Sequence, residues 1–162
     1  MDIENAQLAG LLALWETVRD GRPLPARREF RAEDFQPWFG HIGIIELHDG
    51  PKRLYVRLAG TAINRYDGRD FTGRYLEDCL PPEVHATMLA PYERCRTERA
   101  PVACTMDARA LKGAARRLDR LLLPCGDGER VDSVIVGMYA AGHQRSRVSL
   151  YGGDSLASAA LY

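Results

Sequence analysis

The chain has 162 residues, the length of one ordinary domain, and with 46% hydrophobic and 27% charged residues it is too apolar to be disordered. Its 22 Lys and Arg are matched by 22 Asp and Glu, so it lacks the basic excess of a general nucleic-acid binder. No apolar run reaches the roughly 18–20 residues that span a bilayer, and Cys79, Cys95, Cys104 and Cys125 are scattered without a CxxC pair, which suits neither a zinc ribbon nor a disulfide scaffold.

Leu8, Leu11, Leu12, Trp15 and Val18 recur at helical spacing, and Gly21 followed by Pro23 stops the helix. A helix this short is marginal alone, so its apolar stripe must pack on the rest of the domain or on a second copy of itself. Residues 22–31 form a proline-bearing connector, and Glu33 to Trp38 reads as a short helical turn beside the aromatics Phe35, Trp38 and Phe39. Ile42 to Leu47 and Leu54 to Ala59 then read as two antiparallel strands joined at Asp49-Gly50. Residues 60–80 are glycine-punctuated turns and short helices. Pro81-Pro82-Glu83 opens a longer helix whose buried stripe is Val84, Met88, Leu89, Tyr92 and Cys95. Three more strands follow, at Val102 to Ala110, Leu118 to Pro124 and Val131 to Ala140, with Cys125-Gly126-Asp127-Gly128 turning between the last two. The order predicts an α+β domain: a five-stranded antiparallel sheet with helices on one face and an N-terminal amphipathic helix. Residues 1–31 are the helix and connector, 32–142 the sheet domain, and 143–162 a tail.

The stretches LYVRLAGTAINRYDGRDFTGRYLEDCLPPE at 54–83 and RLLLPCGDGERVDSVIVGMY at 120–139, with LLALWETVRDGRPLPARREF at 11–30, resemble a family of short bacterial stand-alone PAS-like proteins. The resemblance implies strands at about 41–48, 53–60, 101–110, 116–125 and 131–141. Its motifs are built from glycines, turns and packing positions. Gly60-Thr61 ends a strand and offers a hydroxyl to cap a helix at 62–67, Gly68 and Gly73 mark positive φ or close packing, and Asp70 braces the next turn. Arg130 and Asp132 decorate the exposed face of the last strand.

Candidate chemistry is sparse. His41, His48, His85 and His143 lack zinc-site spacing. Haem-binding members of the PAS superfamily draw an axial histidine from the long helix, where His85 lies, but it follows Pro82 so closely that it reads as a helix-start residue. The flavin-binding light-oxygen-voltage branch uses an Asn-Cys-Arg-Phe-Leu-Gln motif; the nearest wording, Glu77-Asp78-Cys79-Leu80-Pro81-Pro82, lacks its asparagine and arginine. Cofactor identity therefore stays unassigned. Asp67/Asp70 and Glu77/Asp78 read as solvated turn carboxylates rather than an acid–base couple, and Arg109, Lys112, Arg116, Arg117 and Arg120 as a solvated hairpin tip or an anion or partner contact.

The expectation is a cytoplasmic, non-enzymatic sensory or interaction module of PAS type. It binds a small-molecule ligand or a partner, signals through another protein, and forms a homodimer through Leu8, Leu11, Leu12 and Trp15. Its pocket is drawn from Ile44, Val56, Leu58, Leu122 and Val136 of the sheet and Met88 and Tyr92 of the long helix. The alternatives are a ligand-free structural adaptor and, third, a small-molecule enzyme with a sheet-and-helix cavity.

Overall fold

The computed structural model describes residues 3–109 and 115–142, so Lys112 and the tail 143–162 fall outside the described residues. Helix α1 spans Ala6–Arg19. Asn5 caps it, its Oδ1 accepting from the backbone N–H of Gln7 and Leu8. Asp20 ends it in the left-handed region, one residue before the expected stop at Gly21. Short 3₁₀ turns at Arg27–Glu29 and Ala32–Trp38 lead into β1 (Ile42–Leu47) and β2 (Leu54–Ala59). Helices α2 (Thr61–Asp67), α3 (Leu76–Cys79) and α4 (His85–Glu98) follow, then β3 (Val102–Arg109), β4 (Ala115–Gly126) and β5 (Val131–Ala140).

All strand pairs are antiparallel and the sheet order is β2-β1-β5-β4-β3. Chain reversal places the first hairpin beside the last strand, so β1 and β5 are central and β2 and β3 are edges. The inner face of the sheet carries α2–α4; the outer face carries α1. Because both faces are covered, the central strands are apolar on both sides. β1 is buried at Ile42, Gly43, Ile44 and Ile45 in succession.

Three of the four residues of the expected dimer seam are buried within their own chain. Leu8, Leu11 and Trp15 are only 2%, 1% and 2% exposed, packed on the outer face of their own sheet, with Leu12 half-buried in the same core. Gly137 makes the notch they occupy: a Cβ there would stand 2.7 Å from Leu11 and 2.8 Å from Leu8. The Trp15 indole Nε1 donates to the Pro124 carbonyl at 2.9 Å. The stripe that left two partners open on the sequence has its partner within the chain.

Local details follow the turn chemistry. Gly68 and Gly73 have φ of 74° and 80°, and Asp70 Oδ1 accepts from the Thr72 N–H at 2.9 Å, the bracing role expected of it. Thr61 does not cap α2. It is the helix's first residue and Gly60 stands at the cap, pressed so close to Gly40 that a Cβ would lie 2.3 Å from the Gly40 carbonyl oxygen. Arg130 pairs with Asp49 across the two hairpin ends at 2.7 Å.

Candidate functional site

The concave inner face and helices α2–α4 line a partly open cavity of about 50 Å³. The alternation of β1 turns Gly43 and Ile45 into it, β5 contributes Val136 and Met138, and β2 contributes Val56 and Leu58. A bulge sets Ile44 opposite Leu58 but Ile45 opposite Val56, so that Arg57 has no register partner on β1, although its side chain pairs with Glu46 there at 3.8 Å. Met88 and Tyr92 reach in from α4, Met106 from β3, and Ile63 and Asp67 from α2.

Of the seven expected pocket residues, five line this cavity: Val56, Leu58, Met88, Tyr92 and Val136. Ile44 does not. It pairs with Ile135 on the outer face and lines a separate groove with Arg27, Glu46 and His48. A strand buried on both sides has no polar alternation to tell its faces apart. Leu122 has the correct face, opposite Val136, but it is fully buried and does not line the cavity; the Cys95 Sγ of α4 stands 3.9 Å from its carbonyl oxygen. Of the aromatics, Tyr92 lines the cavity, whereas Phe39 is 62% exposed.

Sequence reasoning missed the two charged residues of the site. Arg120 belongs to no solvated hairpin tip: β4 begins at Ala115, and strand alternation puts Leu118, Arg120 and Leu122 together on the inner face. Arg120 is 3% exposed, its guanidinium carbon lies 5.8 Å from the Tyr92 ring centroid, and its Nε has no hydrogen-bond partner. Asp67 is likewise not a solvated turn carboxylate. It is half-buried beside Arg120, and among the described residues no ion pair joins them. Loss of water around Asp67 pushes its carboxyl from the ordinary value of 3.8 up to about 6, with the Arg120 and then the Arg69 charge opposing that rise.

That displacement has a consequence for stability. The unfolded chain releases the Asp67 proton near 3.8, whereas the folded chain holds it to about 6. Between these values the folded state binds the extra proton, so this residue's contribution to stability falls as pH rises through the window and stays low above it. Asp67→Asn is therefore expected to stabilise the protein above pH 6 by about 1–2 kcal/mol. Below pH 4 the two proteins should melt together. Thermal melts across that range check it; a variant less stable than the parent at neutral pH would show that attraction to Arg120 outweighs desolvation.

The remaining titratable groups serve the frame. Burial pushes the Cys95 and Cys125 thiols up to about 12, which keeps them protonated. His41 stacks on Tyr139 with ring centroids 4.0 Å apart, and His48 Nδ1 lies 2.9 Å from the Tyr75 hydroxyl. Among the described residues no group of three or more His, Cys, Asp or Glu is placed to hold a metal ion. Haem and flavin do not fit the residues present. His85 Nε2 lies 2.8 Å from the Leu80 carbonyl oxygen and does not line the cavity. Cys79 is buried elsewhere, and about 50 Å³ is far below the roughly 300–1,000 Å³ of pockets for larger ligands.

No curated protein matches the chain. Among solved structures it is similar to a light-oxygen-voltage protein of Rhodobacter sphaeroides, at TM-score 0.51 and 12% identity over 87% of this chain and 70% of that one. It is also similar to a light-oxygen-voltage domain whose mechanism was probed with a flavin analogue, at TM-score 0.51 and 14% identity over 68% of this chain and 84% of that one. At such identities the likeness is one of fold. A family model described as the PAS domain matches residues 3–140, and over that span the five-stranded sheet and its inner helices agree with it: the chain belongs to the PAS domain family.

Proposed function

We propose that this chain is a non-enzymatic sensory module of PAS type, in which a small ligand held by the inner cavity changes the packing of α2–α4 and a partner protein reads the change. The observation that carries the reading is Arg120: a buried guanidinium with an orphaned Nε, next to a desolvated carboxylate, in a cavity otherwise walled by apolar side chains. Few convergent polar groups in an apolar enclosure is the composition of a ligand site, and a fold held together by packing alone has no use for it. Family membership supports the same reading. No helix among the described residues is long and apolar enough to cross a membrane.

A second reading has one observation in its favour. A cavity of about 50 Å³ is small, which suits an adaptor whose core stays empty and whose surface does the work. Native mass spectrometry of freshly purified full-length chain, with an absorbance spectrum of the same sample, separates the two. A stoichiometric extra mass is the expected result. A chain of bare mass with a featureless spectrum, whose melting no small ligand raises, would overturn the sensory reading and favour the adaptor.

A further inference from the structure

The inner cavity combines three features that together specify a ligand chemistry. The first is a buried cation that no ion pair holds. Arg120 stays protonated at any working pH, it is 3% exposed, and no carboxylate stands within ion-pair distance of it among the described residues. A buried charge left so is costly unless something pairs with it. Its planar fork of donors matches a carboxylate in two-point contact. The second is size. The space of about 50 Å³ is a third of the roughly 150 Å³ dry cavity that accepts benzene, and equals about three to five waters. The third is the wall. Met88, Met106 and Met138 are unbranched and adaptable, able to close around an aliphatic stub. A single arginine in such a wall does not replace the hydration of a multiply charged anion such as phosphate.

Resting on the sensory reading, we propose that the cavity binds a short-chain monocarboxylate of two to four carbons, its carboxylate paired with the Arg120 guanidinium and its aliphatic end against the three methionines. Binding brings a second anion close to Asp67. The charged and titratable groups facing Asp67 are Arg120 from β4, Arg69 from the segment after α2, and Tyr92 from α4. Once the ligand engages Arg120, Asp67 loses part of the attraction that held its charge, and it takes up a proton from solvent. Binding is thus tied to proton uptake, and affinity rises as pH falls through the Asp67 transition while the acid itself remains mostly ionised.

Propionate and the neutral, equally shaped propionamide are the probes, titrated into the full chain and followed by the amide NMR shifts of Gly43, Met88 and Met106. Propionate is expected to bind at least about tenfold more tightly than propionamide. Its affinity should also be several-fold higher at about pH 5.5 than at about pH 7.5, on either side of the Asp67 value. Arg120→Met, which replaces the buried charge by an apolar side chain of similar volume, should abolish the preference for the acid. Should that variant not fold, Asp67→Asn keeps Arg120 and must flatten the pH dependence. Equal affinity for the two probes, a preference that survives Arg120→Met, or no binding of either at tens of millimolar overturns the proposal. A neutral molecule found bound in the native mass spectrum overturns it too but leaves the sensory reading standing; a chain purified empty whose melting no small ligand raises removes that reading as well.

Discussion

Gly126→Ala is expected to destabilise the fold by about 3 kcal/mol or more, lowering the melting midpoint by roughly 6–12 °C for a chain of this size. Gly126 closes β4 at the bulge, where the register slips between Cys125 and Gly126 and Val131 replaces the residue that regular pairing would place opposite. Its N–H donates to the Pro25 carbonyl at 3.0 Å, so the same residue ties the connector after α1 to the sheet. A Cβ here would stand 1.8 Å from the Arg130 carbonyl oxygen and 2.8 Å from its carbonyl carbon. These are backbone atoms of the turn that leads into β5 and cannot rotate away as a side chain would. Relief would need the β4–β5 hairpin end to open, losing both the bulge and the Pro25 contact. Gly21→Ala is the control. Gly21 has φ of 72° but no atom within 4 Å of the position a Cβ would take, so alanine there carries only the conformational penalty of about 1–2 kcal/mol. If the two variants melt alike, the close approach at Gly126 is not what limits stability.

How much of this was legible in the sequence depended on whether a residue's surroundings leave a periodic trace. The order of strands and helices along the chain was legible because turn residues interrupt the pattern at Asp49-Gly50 and Asp127-Gly128 and because the hydrophobic period changes on either side of them. Each predicted strand overlaps its observed counterpart. The pocket was half legible. Val56 and Leu58 alternate with the polar-facing Tyr55 and Arg57 on an edge strand, so their face can be assigned; Ile44 lies in a central strand buried on both sides, where alternation carries no information. Arg120 was misread because Arg116 and Arg117 precede it in a basic run, and a run of charges reads as a solvated surface. The usable signal was narrower. Leu118, Arg120 and Leu122 share one parity, and a charge flanked at i−2 and i+2 by fully buried leucines must share their face. Asp67 left no trace, since its burial depends on α2 packing against the distant β3, beside Met106 and Arg120.

The α1 stripe poses the opposite problem, a clear pattern with two physical solutions, and Trp15→Ala decides between them. Trp15 is 2% exposed, its indole donates to the Pro124 carbonyl at 2.9 Å, and the Arg19 guanidinium carbon sits 5.2 Å from its ring centroid. Truncation would leave a cavity between α1 and β4 and orphan a buried carbonyl. The expected loss is about 3–5 kcal/mol, a fall in melting midpoint of roughly 6–20 °C. Trp15→Phe keeps most of the volume and loses chiefly the hydrogen bond, so it should fall between parent and alanine variant. Were the stripe a seam between two copies, the same truncation would shift the oligomeric state by light scattering and leave the melting of the separated chain little changed. Because Leu8, Leu11 and Trp15 are already covered by Gly137 and the leucines of β4, the expected result is the reverse: lower stability at an unchanged mass in solution.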